Sequence, residues 1–94
     1  MAQKPWMQFL TEDEYWSLPA TGRTLADYWT QWRPKMCREM KAAGTLVQTL
    51  ENEGYRLADL QVDLMQQGYP EDAAWEVVKQ DLYALPPEKQ TNRR

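Results

Sequence analysis

Carboxylates are the residues through which this sequence could most readily do chemistry. They cluster in residues 12–14 and 71–72, and Asp59 and Asp63 lie four residues apart. On a helix these two aspartates would face the same side, as a Mg²⁺ ligand pair or a glycosidase carboxylate pair would. No second helical segment offers a matching pair, and the sequence has no glycine-rich phosphate loop. We therefore expect these carboxylates to be solvent-exposed charge.

The absence of histidine and the single cysteine exclude most nucleophilic and metal chemistry. Without His, the chain can build neither a Ser-His or Cys-His nucleophile nor a Cys-His zinc site, and Cys37 alone cannot form an internal disulfide. Cys37 lies between Met36 and Met40, beside a predicted apolar stripe, and we expect it to be a small buried hydrophobic residue. The sequence predicts no enzyme and no cofactor.

Charge is segregated along the chain. The net charge is −3 at pH 7, which does not favour unaided binding to a phosphate backbone. Residues 51–81 contain eight carboxylates but only Arg56 and Lys79 as cations. A basic cluster precedes this segment and consists of Arg33, Lys35, Arg38 and Lys41. This asymmetry suits docking onto a partner, although each cluster could equally be an ordinary solvated helix face.

Both charged clusters have a binding interpretation. We single out four acidic residues as a candidate protein-binding face, namely Glu51, Glu53, Asp59 and Asp63. Such a face could also imitate a nucleic-acid backbone for a protein that expects one. The basic residues, spaced by two or three positions over two helical turns, could instead share a face that contacts phosphates.

Five tryptophans are many for a chain of 94 residues. Indole side chains bury a large area and are favoured at the centres of protein interfaces. Trp29, Trp32 and Trp75 lie on helical stripes and are predicted to belong to the core. Trp6 and Trp16 lie outside any long periodic pattern, and we treat them as candidates for a surface that binds a partner or a second copy.

Capping and breaking residues predict where the first helices lie. Thr11 and Glu14 have the spacing of a capping box, and the helix that they open must stop before Pro19. Residues 20–22 are predicted to be a loop, with Thr24 as the next N-cap. The apolar stripe that follows meets Pro34, where we favour a break over a kink because proline is tolerated at a first helical position.

The second half of the chain predicts three more helical segments. The first ends at Gly44, and the longest runs from about Thr45 to Gln67. Its leucines follow alternating spacings of four and three, with Glu53 at the one missing position between Leu50 and Leu57. Gly54 predicts a kink or a break within that helix. A last helix opens at Pro70 and is ended by Pro86.

No strand pattern is present, so the predicted fold is all-α, a compact bundle of four to five helices. Residues 1–87 are expected to form a single helical domain, and residues 88–94 a flexible polar tail. Neither a signal peptide nor a membrane-spanning segment is recognisable, which favours a cytoplasmic location and no membrane partner.

The sequence resembles the TnpV proteins carried by mobilisable and conjugative transposons. The resemblance covers about residues 18–85 and rests on Gly22-Arg23, Tyr28, Arg33-Pro34, Gly44-x-Leu46, Leu64-Met65, Gly68 and Trp75-x-Val77. The chain departs from the pattern at Trp32, where those proteins have His, and in residues 24–27, where they are more basic. The resemblance implies a small helical accessory protein of a mobile element or prophage, and it carries over no functional residue.

Two functions from different classes follow. The first is an interaction protein that binds another protein and inhibits it, for example a host nuclease or defence component, in the manner of an anti-CRISPR protein. The second is a DNA-binding accessory or directionality factor of excision, in which residues 34–43 and the helix from Thr45 form a helix-turn-helix-like unit. Heptad-spaced leucines make a homodimer compatible with either function.

Overall fold

The computed structural model describes residues 4–86, which form five α-helices after a short 3₁₀ helix. The 3₁₀ helix is Pro5–Gln8, and the α-helices are α1 (Glu12–Ser17), α2 (Ala20–Trp32), α3 (Pro34–Ala43), α4 (Leu46–Gln66) and α5 (Glu71–Leu82). No residue of this range lies in a β-strand. The predicted all-α class is therefore confirmed.

Local capping rules account for the first helix. The Glu14 amide donates to Thr11 Oγ1 at 3.1 Å, and the Thr11 amide donates to Glu14 Oε1 at 2.9 Å. These two bonds satisfy amide donors that the first turn of a helix leaves unpaired. The helix ends at Ser17 because Leu18 precedes a proline and is held in an extended conformation.

The predicted loop at residues 20–22 is wrong, as is the predicted N-cap at Thr24. Helix α2 begins at Ala20, directly after an extended Pro19. The hydroxyl of Thr21 donates to the carbonyl oxygen of Gly54 on α4, and that of Thr24 donates to the Ala20 carbonyl oxygen at 3.1 Å. Contact with α4 thus extends the helix by one turn beyond the start that local sequence signals indicate.

Breaks at a proline and at two glycines lie where the sequence predicts them. Arg33 leaves the helical conformation (φ −132°, ψ 52°), and Pro34 opens α3 at its first position. Gly44 (φ 78°) and Gly68 (φ 106°) end α3 and α4 in the left-handed conformation. After α4, the Tyr69 amide donates to the Leu64 carbonyl oxygen at 3.1 Å, the bond that defines a Schellman motif.

Helix α4 runs without a break through Gly54, so a break there is wrong. Glycine is needed here for proximity: a Cβ on Gly54 would lie 2.8 Å from the Gly22 Cα atom and 2.9 Å from the Gly22 nitrogen. Helices α2 and α4 therefore cross with their backbones in close approach. Around this crossing the core contains fully buried side chains from three helices, namely Cys37, Leu50, Leu57 and Val78.

Two of the three tryptophans predicted for the core belong to it or pack against it. Trp29 is buried, and Trp75 is half-buried and packs against the core cluster. Trp32 is exposed, so its assignment to the core is wrong. It is the last residue of α2, where the chain leaves the helix and no longer follows the buried stripe.

The predicted burial of Cys37 is confirmed, with none of its surface exposed. The predicted polar tail at residues 88–94 lies outside the described residues. None of the helices in residues 4–86 is both long enough and apolar enough to span a membrane.

Candidate functional site

Helices α4 and α5 form a hairpin whose outer part we call the acidic arm, residues 57–78. Leu57 and Val78 are buried at its base, and between them only Ala74 is buried. The two helices are joined by residues 67–70, a connection short enough to make them antiparallel neighbours. Leu60, Leu64 and Trp75 are half-buried and hold the arm to the rest of the core.

The acidic arm contains five carboxylates and no lysine or arginine. All five side chains are exposed: Asp59, Asp63, Glu71, Asp72 and Glu76. Glu76 forms the only salt bridge that the arm makes among the described residues, with Lys79 Nζ at 3.2 Å from just beyond its base. An exposed pair of this kind contributes little to stability. The arm therefore presents a negatively charged surface, and four of its five carboxylates form no salt bridge within the described residues.

An ion-pair clamp at the base of the arm joins its two helices. The Arg56 guanidinium donates to Asp81 Oδ1 at 2.9 Å and to Glu53 Oε1 at 2.9 Å. Hydrogen bonding to Asp81, and then to Glu53, raises the pKa of Arg56, and the same contact lowers the pKa of Asp81 below its ordinary value of 3.8. The clamp fixes α5 against α4 at the point from which the arm projects.

We expect the clamp to make stability depend on pH in the acidic range. A carboxylate with a lowered pKa in the folded state stabilises the fold above its ordinary pKa, and this contribution is lost as the pH falls below 3.8 through the lowered value. Urea denaturation of the Asp81→Asn variant should show a loss of up to about 1 kcal/mol at neutral pH and a smaller further loss on acidification. Equal acid sensitivity in both proteins would contradict this assignment.

The predicted acidic face of Glu51, Glu53, Asp59 and Asp63 is divided by the fold. Asp59 and Asp63 lie exposed on the acidic arm, whereas Glu53 belongs to the clamp and Glu51 is half-buried before the arm begins. These four residues therefore do not form one free face. The four residues singled out from the sequence also leave out α5, which supplies Glu71, Asp72 and Glu76. The predicted end of one helix before Gly68 and start of the next at Pro70 indicate that the chain turns here.

The predicted basic cluster is also divided. Lys35, Arg38 and Lys41 are exposed on α3. Arg33 is half-buried at the break between helices, where its Nη1 donates to the Pro86 carbonyl oxygen at 2.6 Å and its Nε contacts Met36 Sδ at 3.5 Å. Arg33 therefore binds the segment that follows α5, and only three of the four predicted cations are presented on α3.

Two of these cations flank a shallow cavity between α3 and the 3₁₀ helix. Its volume is about 560 Å³, and it is lined by Gln8, Phe9, Arg38, Lys41 and Ala42. Lys41 Nζ also donates to the Gln8 carbonyl oxygen at 3.3 Å. The cavity is open and wide, and the described residues place no carboxylate in a salt bridge with Arg38 or Lys41.

The two tryptophans predicted to lie at a surface have opposite environments. Trp6 is buried, with its ring stacked on Tyr15 at a centroid distance of 3.9 Å, so its assignment to an exposed surface is wrong. The 3₁₀ helix turns it into the core. Trp16 is 63% exposed, with the Arg23 guanidinium carbon 5.4 Å from its ring centroid.

The ionisation of Tyr15, a member of this aromatic cluster, makes the stability of the fold depend on pH in the alkaline range. Its hydroxyl donates to Asp27 Oδ1 at 3.0 Å, and burial followed by this hydrogen bond raises the pKa of Tyr15 from 10.0 to about 12. Because the folded protein holds the proton more tightly, stability is full below pH 10.0 and should fall as the pH rises towards 12. Chemical denaturation across that range should show a smaller fall for Tyr15→Phe, and an equal fall would contradict the assignment.

Comparison with protein-family models, with curated proteins and with solved structures finds no match to this chain. Among residues 4–86, no group of three or more His, Cys, Asp or Glu side chains is arranged to hold a metal ion.

Proposed function

We propose that this protein acts by binding another protein, and that the acidic arm is its contact surface. The observation that carries the proposal is the charge of the arm: five exposed carboxylates and no cation between Leu57 and Val78. Complementary charge steers association and selects partners, so the target of such a surface is positively charged. The charge of the arm supports binding to such a target.

The class of target that fits best is a protein that binds nucleic acid. Its binding surface must be rich in Lys and Arg, because it neutralises phosphates. The carboxylates of the two antiparallel helices offer such a surface a negatively charged ligand. When the arm occupies that surface, the target can no longer bind nucleic acid there. The resemblance to TnpV proteins suggests a mobile element or prophage as the source. For a protein from such a source, the target that we propose is a host nuclease or defence system, as for an anti-CRISPR protein.

The proposal is tested by retention of host proteins on immobilised protein. The input is the heparin-binding fraction of a host extract, which is enriched in nucleic-acid-binding proteins. We expect a partner that wild type retains, that added DNA or RNA displaces, and that the variant D59K/D63K does not retain. The matched control is E12K/E39K, with the same change in net charge at two exposed positions outside the arm. Equal retention by wild type and D59K/D63K would overturn the proposal.

A second candidate is a DNA-binding accessory factor, which the exposed cations of α3 favour. Lys35, Arg38 and Lys41 lie on the surface, and Arg38 and Lys41 form no salt bridge with a described carboxylate. If they contact phosphates, anisotropy of a labelled duplex should report binding with a log–log salt slope of about −2 to −3, which K35E/R38E abolishes. Absence of binding at low salt would dismiss this function.

A further inference from the structure

Helix α4 carries a second apolar stripe in addition to the one that it buries. The stripe has spacings of three and four residues and consists of Tyr55, Ala58, Val62 and Met65. At 3.6 residues per turn it lies about 130° around the helix from the buried leucines. Three of its members are large and exposed, by 54% at Tyr55, 51% at Val62 and 43% at Met65, and Tyr69, just beyond the end of the helix, is 44% exposed. An apolar stripe of this length on a helix is typical of a surface that another element covers.

The stripe begins where helix α2 stops covering α4. Gly54 is buried by the crossing with α2, Ala58 is half-buried one turn later, and Val62 and Met65 are exposed on the arm. The stripe therefore extends the face of α4 that packs against α2 beyond the part of α4 that α2 covers. Asp59 and Asp63, each one residue after a member of the stripe, place two exposed carboxylates along one edge.

We propose, building on the proposed function, that the element bound by the acidic arm is a cationic amphipathic helix of the partner protein. Its apolar face packs on the stripe in the manner of a helix in a groove, and its Lys or Arg side chains lie beside Asp59 and Asp63. The arm and the partner helix then form a three-helix arrangement. The stripe supplies the close contacts that distinguish one basic partner from another, and the carboxylates supply the attraction.

A second copy of this chain does not fit the stripe. In a dimer formed through the stripe, the carboxylates of one arm would face those of the other and repel them, since neither arm contains a cation. The basic helix α3 cannot take the place of the partner helix either, because its apolar side already packs within this chain. Cys37 is buried, and Met36 and Met40 pack against the core. The charge and the packing of this chain therefore both favour a different protein.

The test uses a synthetic helical peptide made only of Leu and Lys, with the leucines at spacings of three and four. A scrambled peptide of the same composition keeps the charge and removes the apolar face. Titration followed by fluorescence anisotropy of the labelled peptides should give tighter binding of the amphipathic peptide, by about tenfold or more. The variant V62S/M65S should remove that difference while leaving the binding of the scrambled peptide unchanged. Both serines stand at exposed positions, and thermal melting followed by circular dichroism checks that the variant is folded.

The outcomes separate this inference from the function on which it rests. Equal affinity for the two peptides, or an amphipathic peptide that binds V62S/M65S as well as wild type, would overturn the stripe as a helix-binding surface. In that case loss of all binding in D59K/D63K would still support an acidic contact surface. If D59K/D63K binds both peptides as tightly as wild type, the electrostatic basis of the proposed function fails, and the inference fails with it.

Discussion

Replacing Gly54 by alanine is expected to destabilise the protein by about 2 kcal/mol, although alanine is the better helix former. The substitution gains about 1 kcal/mol of helix propensity. Against this, the new Cβ would lie 2.8 Å from the Gly22 Cα atom and 2.8 Å from Pro19 Cγ. Overpacking a close contact costs about 3 kcal/mol at the upper end of its usual range, and the backbone of α2 cannot rotate away as a side chain can. The clash therefore outweighs the propensity.

Denaturant unfolding followed by tryptophan fluorescence measures this effect. The matched control is Asn52→Ala, two residues away on the exposed side of α4, where a change to alanine should cost little. A Gly54→Ala variant that is as stable as wild type, or more stable, would show that α2 and α4 do not approach as closely as this crossing requires.

Reversing the charge of the acidic arm is expected to have the largest effect on function. The variant D59K/D63K/E71K/E76K replaces four of its five carboxylates with lysine. Partner binding should weaken at least about 100-fold, because like charges then face each other across the contact. The fold should be retained, since all four positions are exposed and surface substitutions usually change stability by no more than about 0.5 kcal/mol each.

Affinity at two salt concentrations measures this effect, with circular dichroism as the check on folding. Wild-type binding should weaken as salt rises, because screening acts on exposed charges. The four-site variant should lose most of that dependence along with its affinity. A variant that is folded and binds the same partner within a few-fold of wild type would remove the arm from the contact surface.

Local signals predicted most helix boundaries because each depends on a few neighbouring residues. The capping box at Thr11, the break at Pro34 and the left-handed glycines at 44 and 68 all follow from backbone geometry. The start of α2 and the unbroken course of α4 through Gly54 do not, because both result from the crossing of these helices. Propensity at a glycine cannot reveal that a second helix lies against it.

The candidate site was predictable in its charge but not in its shape. The excess of carboxylates after residue 51 is visible in the sequence, and so is the heptad spacing of the leucines. Which carboxylates form salt bridges depends on Arg56, which pairs with both Glu53 and Asp81. Asp81 lies on another helix, so its pairing with Arg56 cannot be read from local sequence. Periodicity likewise placed Trp32 on an apolar stripe without showing that this last residue of α2 is exposed.

The most direct test of the central claim is competition for the nucleic-acid-binding surface of a partner. The partner that is retained in an arm-dependent way from the heparin-binding fraction is bound to labelled nucleic acid and titrated with this protein while anisotropy is recorded. The proposed function predicts that wild type releases the label in a saturable manner, that E12K/E39K does so equally, and that the four-site arm variant does not. A ternary complex in which wild type is bound through its arm and the nucleic acid stays in place would contradict it.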